Sequence, residues 1–229
     1  MLPRVLEPEV MDTAQEAADY DAMDNREPNE RFATDCLQFA RFSPGARALD
    51  VGTGTALIPI AMCERAPGAS FVAVDLADHM LALAKRNVEI AGLGARIELR
   101  KVDAKGLPFR DGEFDAVVSN SIVHHVPEPR VALAEMRRVA ARVLFVRDLL
   151  RPESDEDVAR LIALHGGEPA SRAPEDVARH ARQVALLDAS LRAALTVDEV
   201  RAIAEELGIP ARAVSQTSDR HYTLAFEVA

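Results

Sequence analysis

The alternation of strand-like and helix-like segments is the feature that most constrains this fold. Five apolar, strand-like runs lie at 46–51, 70–74, 96–102, 114–119 and 141–146, and the first four are each followed by a helical or loop segment. Strands joined by such crossovers run parallel in one sheet, and the crossovers cover its faces with helices. At 229 residues the chain can bury such a core without disulfides. We therefore predict an α/β fold with a mostly parallel sheet.

The C-terminal part has a different pattern. Residues 152–195 are charged, rich in alanine and punctuated by Pro and Gly, which favours a helical insertion. Thr196 and Glu199 have the spacing of a capping box, so Thr196 is predicted to cap a helix. Two strand-like runs, 211–217 and 222–228, follow that helix with only a short connection between them. Such a connection requires an antiparallel pair.

Charge and composition exclude several classes of protein. The formal net charge of −10 repels phosphate backbones, so we predict no nucleic-acid partner. Cys36 and Cys63 are too few for a disulfide framework or a Cys-rich zinc site, and we predict no metal site. No run approaches the ~20 apolar residues that span a bilayer, and the acidic N-terminus does not resemble a signal peptide. We expect a cytoplasmic protein without a membrane partner.

The segment 48–59, ALDVGTGTALIP, contains the strongest local signal for a ligand. An apolar strand ends near Asp50, and the glycines Gly52 and Gly54 allow a tight turn that a ligand can approach closely. A dinucleotide fingerprint would need another glycine where the chain has Leu57, and a Walker loop would need Gly-Lys-Ser or Gly-Lys-Thr. Both phosphate-binding interpretations are therefore weakened.

Three carboxylates follow three successive predicted strands: Asp50, Asp75 and Asp103. The carboxyl ends of parallel strands lie at one edge of the sheet, where open α/β folds bind ligands. Asp75 comes about twenty residues after the glycine turn, a position from which a carboxylate can accept both hydroxyls of a ribose. The set suits a ligand with a ribose and a positively charged end better than one with a pyrophosphate.

With these residues in this order, the chain resembles the class I methyltransferases that depend on S-adenosylmethionine, of the small-molecule type, over about residues 46–148. The run 102–120, VDAKGLPFRDGEFDAVVSN, is similar to the middle motifs of that family. The resemblance implies a Rossmann-like sheet of seven strands in the order 3-2-1-4-5-7-6, with strand 7 antiparallel. Ala56 stands where many members carry a third glycine, and we expect this change to cost little helix packing.

The resemblance also implies a function and a set of cofactor contacts. The function is methyl transfer from S-adenosylmethionine to an oxygen, nitrogen or sulfur atom of a small molecule. Asp50 and Asn120 would border the methionine end, and Asp75 would hold the ribose. Asp103 and the backbone of Ala104 would meet the adenine. The complete implied set is Tyr20, Asp50, Gly52, Thr53, Gly54, Asp75, Leu76, Met80, Asp103, Ala104 and Asn120.

Two histidines, His124 and His125, follow the fourth predicted strand at the same edge of the sheet. An imidazole has a pKa suited to general-base catalysis. The segment is similar to the region of small-molecule O-methyltransferases that carries a catalytic histidine, and the match falls on His124. The alternatives are that His125 is the base, or that either histidine only makes structural hydrogen bonds.

Two segments are predicted to close the site: an N-terminal helical lid or cap at 1–45, and the helical insertion at about 152–195 in the core at 46–229. For both, the alternatives are surface packing or a contact in a homodimer. Two other functions stay open for the chain. One is a noncatalytic, cofactor-binding partner or regulatory subunit. The other is a nicotinamide-dependent oxidoreductase, which Asp75 supports and Leu57 opposes.

Overall fold

The computed structural model describes residues 2–7, 12–23 and 25–228. It contains a seven-stranded sheet in the order β3-β2-β1-β4-β5-β7-β6, which confirms the predicted order. The strands are β1 Arg47–Val51, β2 Ser70–Asp75, β3 Ile97–Lys101, β4 Phe114–Asn120, β5 Ala140–Leu149, β6 Val214–Gln216 and β7 His221–Glu227. β7 is antiparallel to both of its neighbours, and the other pairs are parallel.

Two predicted strands differ from the observed ones. The predicted strand at 211–217 is a strand only over Val214–Gln216, because Ala211–Ala213 form one turn of 3-10 helix. Pro210 precedes this turn, and its carbonyl accepts a hydrogen bond from the Ala213 amide. The fifth strand is longer than predicted, since pairing with β7 continues as far as Leu149.

Helices cover both faces of the sheet. They are α1 Ala14–Asp21, α2 Arg26–Ala40, α3 Leu57–Arg65, α4 Asp78–Ile90, α5 Pro129–Val139, α6 Asp155–His165, α7 Pro174–Ala193 and α8 Val197–Glu206. On one face, Phe32 of α2 and Met62 of α3 pack with Phe145 of β5. On the other face, Met136 of α5 belongs to a core cluster with Leu49 of β1. Full burial of one such side chain stabilises the fold by about 1.5–3 kcal/mol.

Thr196 caps α8 in the predicted capping box with Glu199, each side chain accepting a hydrogen bond from the other residue's backbone amide. The helix therefore begins where the sequence predicts.

Among residues 2–7, 12–23 and 25–228, none of the helices combines the length and the apolar character that crossing a bilayer requires.

The N-terminal helix α1 is tied to α7 by an ion pair between a buried carboxylate and a half-exposed guanidinium. Asp19 of α1 is only 2% exposed, and its carboxylate accepts hydrogen bonds from the Arg182 guanidinium of α7 at 2.6 and 3.1 Å. The backbone oxygen of Asp19 also accepts a hydrogen bond from the Gln183 amide at 2.7 Å. On its other side, Ala17 of α1 packs with Met80 of α4. α1 is therefore held between α4 and the insertion.

Candidate active site

A cleft of about 770 Å³, partly open to solvent, lies at the carboxyl ends of β1 to β4. Its walls are formed by Tyr20, Gly52, Gly54, Asp75, Leu76, Ala77, Met80, Val102, Asp103, Ala104, Asn120, Ser121, Ile122, His125 and Val126. A recess of about 340 Å³ shares three of these residues with the cleft. It is lined by Tyr20, Asn29, Asp50, Gly52, Thr53, Thr55, Leu57, Ile58 and Asn120.

Every cofactor position predicted from the sequence lines one of these two spaces. Asp50 and Thr53 line the recess, and Tyr20, Gly52 and Asn120 border both spaces. The remaining predicted positions line the larger cleft: Gly54, Asp75, Leu76, Met80, Asp103 and Ala104. The structure thus brings together residues that lie far apart in the sequence, from α1 to the end of β4.

The turn after β1 is tied to the end of β2 by hydrogen bonds. The amides of Gly52 and Thr53 both donate to the Val74 carbonyl at 2.9 Å, and the Gly54 amide donates to Asp75 Oδ2 at 2.7 Å. Gly52 and Gly54 adopt φ angles of +73° and +53°, a region that residues with a Cβ rarely occupy. The turn therefore depends on glycine for its shape.

Gly52 also has no room for a side chain. A Cβ at this position would lie 2.7 Å from the Cβ of Ile122 and closer still to its Cγ2. Ile122 follows β4, so the loop after β4 is packed directly against the turn after β1. Gly52 allows this close approach.

Asp75 joins two elements at the cleft. Its Oδ2 accepts the Gly54 amide, and its Oδ1 accepts the Ala77 amide at 2.9 Å, just before α4 begins. Burial raises the pKa of Asp75, while the backbone hydrogen bonds oppose that rise. Each carboxylate oxygen has two lone pairs, so the group retains acceptor capacity for hydroxyls of a ligand in the cleft.

Asp50 is a buried carboxylate in the recess. It is 2% exposed, and its Oδ2 has no hydrogen-bond partner among the described residues. Burial raises the pKa of Asp50 to about 7, and the nearby negative charge of Asp75 adds to the rise. A buried carboxylate without a partner is costly, so this position suits a cationic ligand group.

Asp103 lies at the opposite end of the cleft and is more exposed. It pairs with Lys105, whose ammonium lies 2.9 Å from Asp103 Oδ1 and whose backbone amide donates to the same oxygen at 2.8 Å. Partial burial opposes ionisation, yet these hydrogen bonds keep the pKa of Asp103 below its usual value.

Ala56 occupies a position that favours glycine for a conformational reason. It is fully buried and adopts φ 62° and ψ 22°, a left-handed conformation, immediately before α3. For a residue with a Cβ this conformation costs about 1–2 kcal/mol. The sequence analysis predicted only a small cost in helix packing. The structure shows that glycine is favoured at position 56 because of the left-handed backbone conformation.

The predicted base, His124, does not line the cleft. It is 3% exposed, and its Nδ1 lies 2.5 Å from Oδ1 of Asp148. Oδ2 of Asp148 accepts the backbone amides of Val123 and His124. The cause is the extended fifth strand, which carries Asp148 beyond the predicted end at residue 146. The histidine on the cleft wall is His125.

Sequence reasoning missed several residues of the loop after β4. Ser121, Ile122 and Val126 all line the cleft, and Ser121 has φ +58°, an uncommon conformation for a residue with a side chain. Strained backbone of this kind clusters at functional sites. The position of these residues directly after a strand of the sheet is the signal that could have identified them.

Residues 49–142 match the family described as methyltransferase domain. A demethylmenaquinone methyltransferase of Thermus thermophilus is 43% identical over 95 residues, which is 42% of this chain and 42% of that protein. A malonyl-(acyl-carrier protein) O-methyltransferase of Geobacter sulfurreducens is 40% identical over 129 residues, 55% of this chain and 46% of that protein. The chain thus spans less than half the length of these two relatives.

Among solved structures, a methyltransferase from Aquifex aeolicus described as dependent on S-adenosylmethionine has a TM-score of 0.64. The match covers 93% of this chain and 98% of that chain at 20% sequence identity. At this level of identity the likeness establishes a shared fold.

The contact between Gly52 and Ile122 generates a prediction about stability. Gly52→Ala should lower the free energy of unfolding by about 2–5 kcal/mol, because overpacking against Ile122 adds to the cost of a left-handed alanine. Gly92→Ala is the matched control, since Gly92 has φ +68° and a Cβ added there would have nothing within 4 Å. It should lose only about 1–2 kcal/mol.

Urea unfolding of both variants, and of Gly52→Ala combined with Ile122→Ala, measures these differences. The double variant should recover only part of the loss, since Ile122→Ala removes Cγ1 and Cγ2 but keeps the Cβ that the new Cβ would meet at 2.7 Å. Equal losses for Gly52→Ala and Gly92→Ala would contradict the packing of Ile122 on Gly52.

Proposed function

We propose that this chain is a class I S-adenosylmethionine-dependent methyltransferase and that it transfers the cofactor's methyl group to an oxygen, nitrogen or sulfur atom of a small molecule. One observation carries the proposal. The buried carboxylate of Asp50 has an oxygen without a partner, and it lies across the glycine turn from Asp75 in adjoining spaces. The names of the two sequence relatives support methyl transfer as the reaction.

The described residues fit the cofactor. Asp50 and Asn120 would hold the cationic methionine end, and Asp75 the ribose hydroxyls. Asp103 and Ala104 would border the adenine, whose face the apolar side chains of Leu76 and Met80 would cover. Tyr20, Gly52, Thr53 and Gly54 would complete the walls. When bound, S-adenosylmethionine supplies an electrophilic methyl group on a sulfonium.

The chain's own contribution to the reaction is then mainly to position the acceptor. Ser121, Ile122, His125 and Val126 form the cleft wall beyond Gly52 and Asn120, and we assign the acceptor to this wall. Ile122 and Val126 would exclude water, and Ser121 and His125 offer polar contacts. Holding two reactants in line can be worth an effective molarity of about 10⁵–10⁸ M. We assign to His124 the role of fixing this loop through Asp148.

Neither of the other functions has a comparable observation in its favour. A nicotinamide-dependent oxidoreductase would need close helix packing at position 57, where Leu57 lines the recess. A noncatalytic partner would bind cofactor without turnover. A screen of acceptors that carry a hydroxyl, an amine, a thiol or an acidic C–H separates these cases, since turnover of any of them removes the noncatalytic alternative. Turnover of the C–H acceptor alone would contradict the proposed acceptor atoms.

We also propose that residues 1–45 and the insertion at about 152–195 act together as a lid. Tyr20 on α1 borders both the cleft and the recess, and its Cε1 lies 3.7 Å from where a Cβ on Gly54 would be. The ion pair between Asp19 and Arg182 joins α1 to the insertion.

A cytoplasmic location and a homodimer stay predictions, which cell fractionation and light scattering can test.

Cofactor binding and its pH dependence test the proposed function. Calorimetry should detect one S-adenosylmethionine per chain and no binding of NADH. A cation beside Asp50 favours its ionised form, so affinity should rise as the pH rises towards the Asp50 pKa of about 7, by at most about tenfold per pH unit, and then level off. Asp50→Asn should bind weakly, with no such dependence. Absence of binding by the folded protein would refute the function, and an unchanged pH profile in Asp50→Asn would refute the role of Asp50.

The lid generates a second prediction. Arg182→Ala leaves the buried Asp19 without its closest cation, so α1 should lose hydrogen-exchange protection and the Kd for S-adenosylmethionine should rise roughly tenfold. Arg160→Ala is the control, because Arg160 pairs with Asp157 on the exposed side of α6. If α1 exchanges its amide hydrogens at the wild-type rate in both variants, and both bind S-adenosylmethionine like the wild type, α1 is not a lid that depends on α7.

A further inference from the structure

A carboxylate and two imidazoles converge behind the cleft wall from two distant parts of the chain. Oε1 of Glu7 lies 3.1 Å from Nδ1 of His125 and 3.6 Å from Nε2 of His124. One donor atom of each residue lies within 4.8 Å of the other two. The side chains of Glu7, His124 and His125 are 7%, 3% and 17% exposed. The cluster is therefore largely shielded from water.

We propose that Glu7, His124 and His125 bind a divalent transition-metal ion, with Zn²⁺ as the best match. In a tetrahedral zinc site with bonds of about 2.0–2.2 Å, neighbouring ligand atoms are about 3.3–3.6 Å apart. Of the two distances from Glu7 Oε1, 3.6 Å lies at the upper end of that range and 3.1 Å lies slightly below it. Two imidazole nitrogens and one carboxylate oxygen favour zinc and its transition-metal neighbours over Mg²⁺ or Ca²⁺.

Asp148 supplies the outer support that such sites usually have. Its Oδ1 lies 2.5 Å from Nδ1 of His124, so His124 presents the Nδ1 hydrogen to Asp148 and the Nε2 lone pair to Glu7. This is the carboxylate–histidine–metal arrangement that orients imidazole ligands. A lone pair facing a carboxylate needs a cation between them, either a metal ion or a proton.

The charge balance at this position attracts a cation. Glu7 and Asp148 contribute two negative charges when both are ionised, and the nearby guanidinium of Arg4 donates to the carbonyls of His124 and Val126 at 3.1 Å. With neutral imidazoles, the two carboxylates outweigh this one positive charge. A divalent metal ion between the ligand atoms would balance them, in competition with a proton on His124.

The position of the cluster gives the ion a consequence for the cleft. His125 belongs both to the cluster and to the cleft wall, and Glu7 lies in an N-terminal segment anchored by Arg4. The ion would tie that segment to the loop after β4. Three protein ligands leave a fourth position for water or for an oxygen of a bound molecule. Metal binding itself does not depend on the proposed methyl transfer.

Metal titration of the chelator-treated, full-length protein tests the proposal. Zn²⁺ should bind one per chain by calorimetry and raise Tm, and Co²⁺ should give the visible absorption of a tetrahedral site. Glu7→Gln and His125→Gln should each weaken binding at least tenfold, and Asp148→Asn about 10–100-fold. His165→Gln should bind like the wild type, because His165 pairs with one carboxylate, Asp219, at 2.8 Å.

Two outcomes would overturn the site: no stoichiometric Zn²⁺ binding by the folded wild type, or binding that Glu7→Gln and His125→Gln leave unchanged. The first would mean that a proton on His124 bridges Glu7 and Asp148. The second would place the metal on histidines elsewhere, at the surface of the protein. Circular dichroism of each variant verifies that it is folded.

Discussion

The Asp75 carboxylate accepts amide hydrogens from two elements that meet at the cleft, and the shape of the site depends on this contact. One amide belongs to Gly54 in the turn after β1, and the other to Ala77 before α4. Hydrogen bonds from backbone amides to a charged acceptor are stronger than those between neutral groups. They hold the glycine turn open beside the loop that carries Ile122. Without them, neither the cleft nor the recess would keep its present walls.

The electrostatics of the site follow from the burial of its carboxylates. Asp50 has one unsatisfied oxygen, and its pKa is raised to about 7 by burial and by the charge of Asp75. The protein thereby keeps a partly neutral group where a cation is to bind, which lowers the cost of burying this carboxyl group. At the other end, Asp103 is already paired with Lys105. The two ends of the site therefore differ, and a positively charged ligand group is favoured at the Asp50 end.

Much of the fold could be predicted because it depends on local patterns. The alternation of apolar runs and helices indicates a parallel sheet. Parallel strands end at the same edge of a sheet, so the sequence alone places Asp50, Asp75 and Asp103 together at that edge. The orientation of His124 could not be predicted, because it depends on how far β5 continues along β7 before Asp148 is reached. The left-handed backbone of Ala56 and the contact of Glu7 with His125 are likewise set by tertiary packing, which overrides any short-range signal.

Our central proposal is that the two carboxylates on either side of the glycine turn hold the methionine end and the ribose of one cofactor. A crystal structure with bound S-adenosylhomocysteine tests it most directly. We expect ribose hydroxyls on Asp75, adenine beside Asp103 and Ala104, and the amino-acid end in the recess with Asp50. Electron density for the nucleoside in the recess, or a ligand that does not contact Asp75, would contradict it.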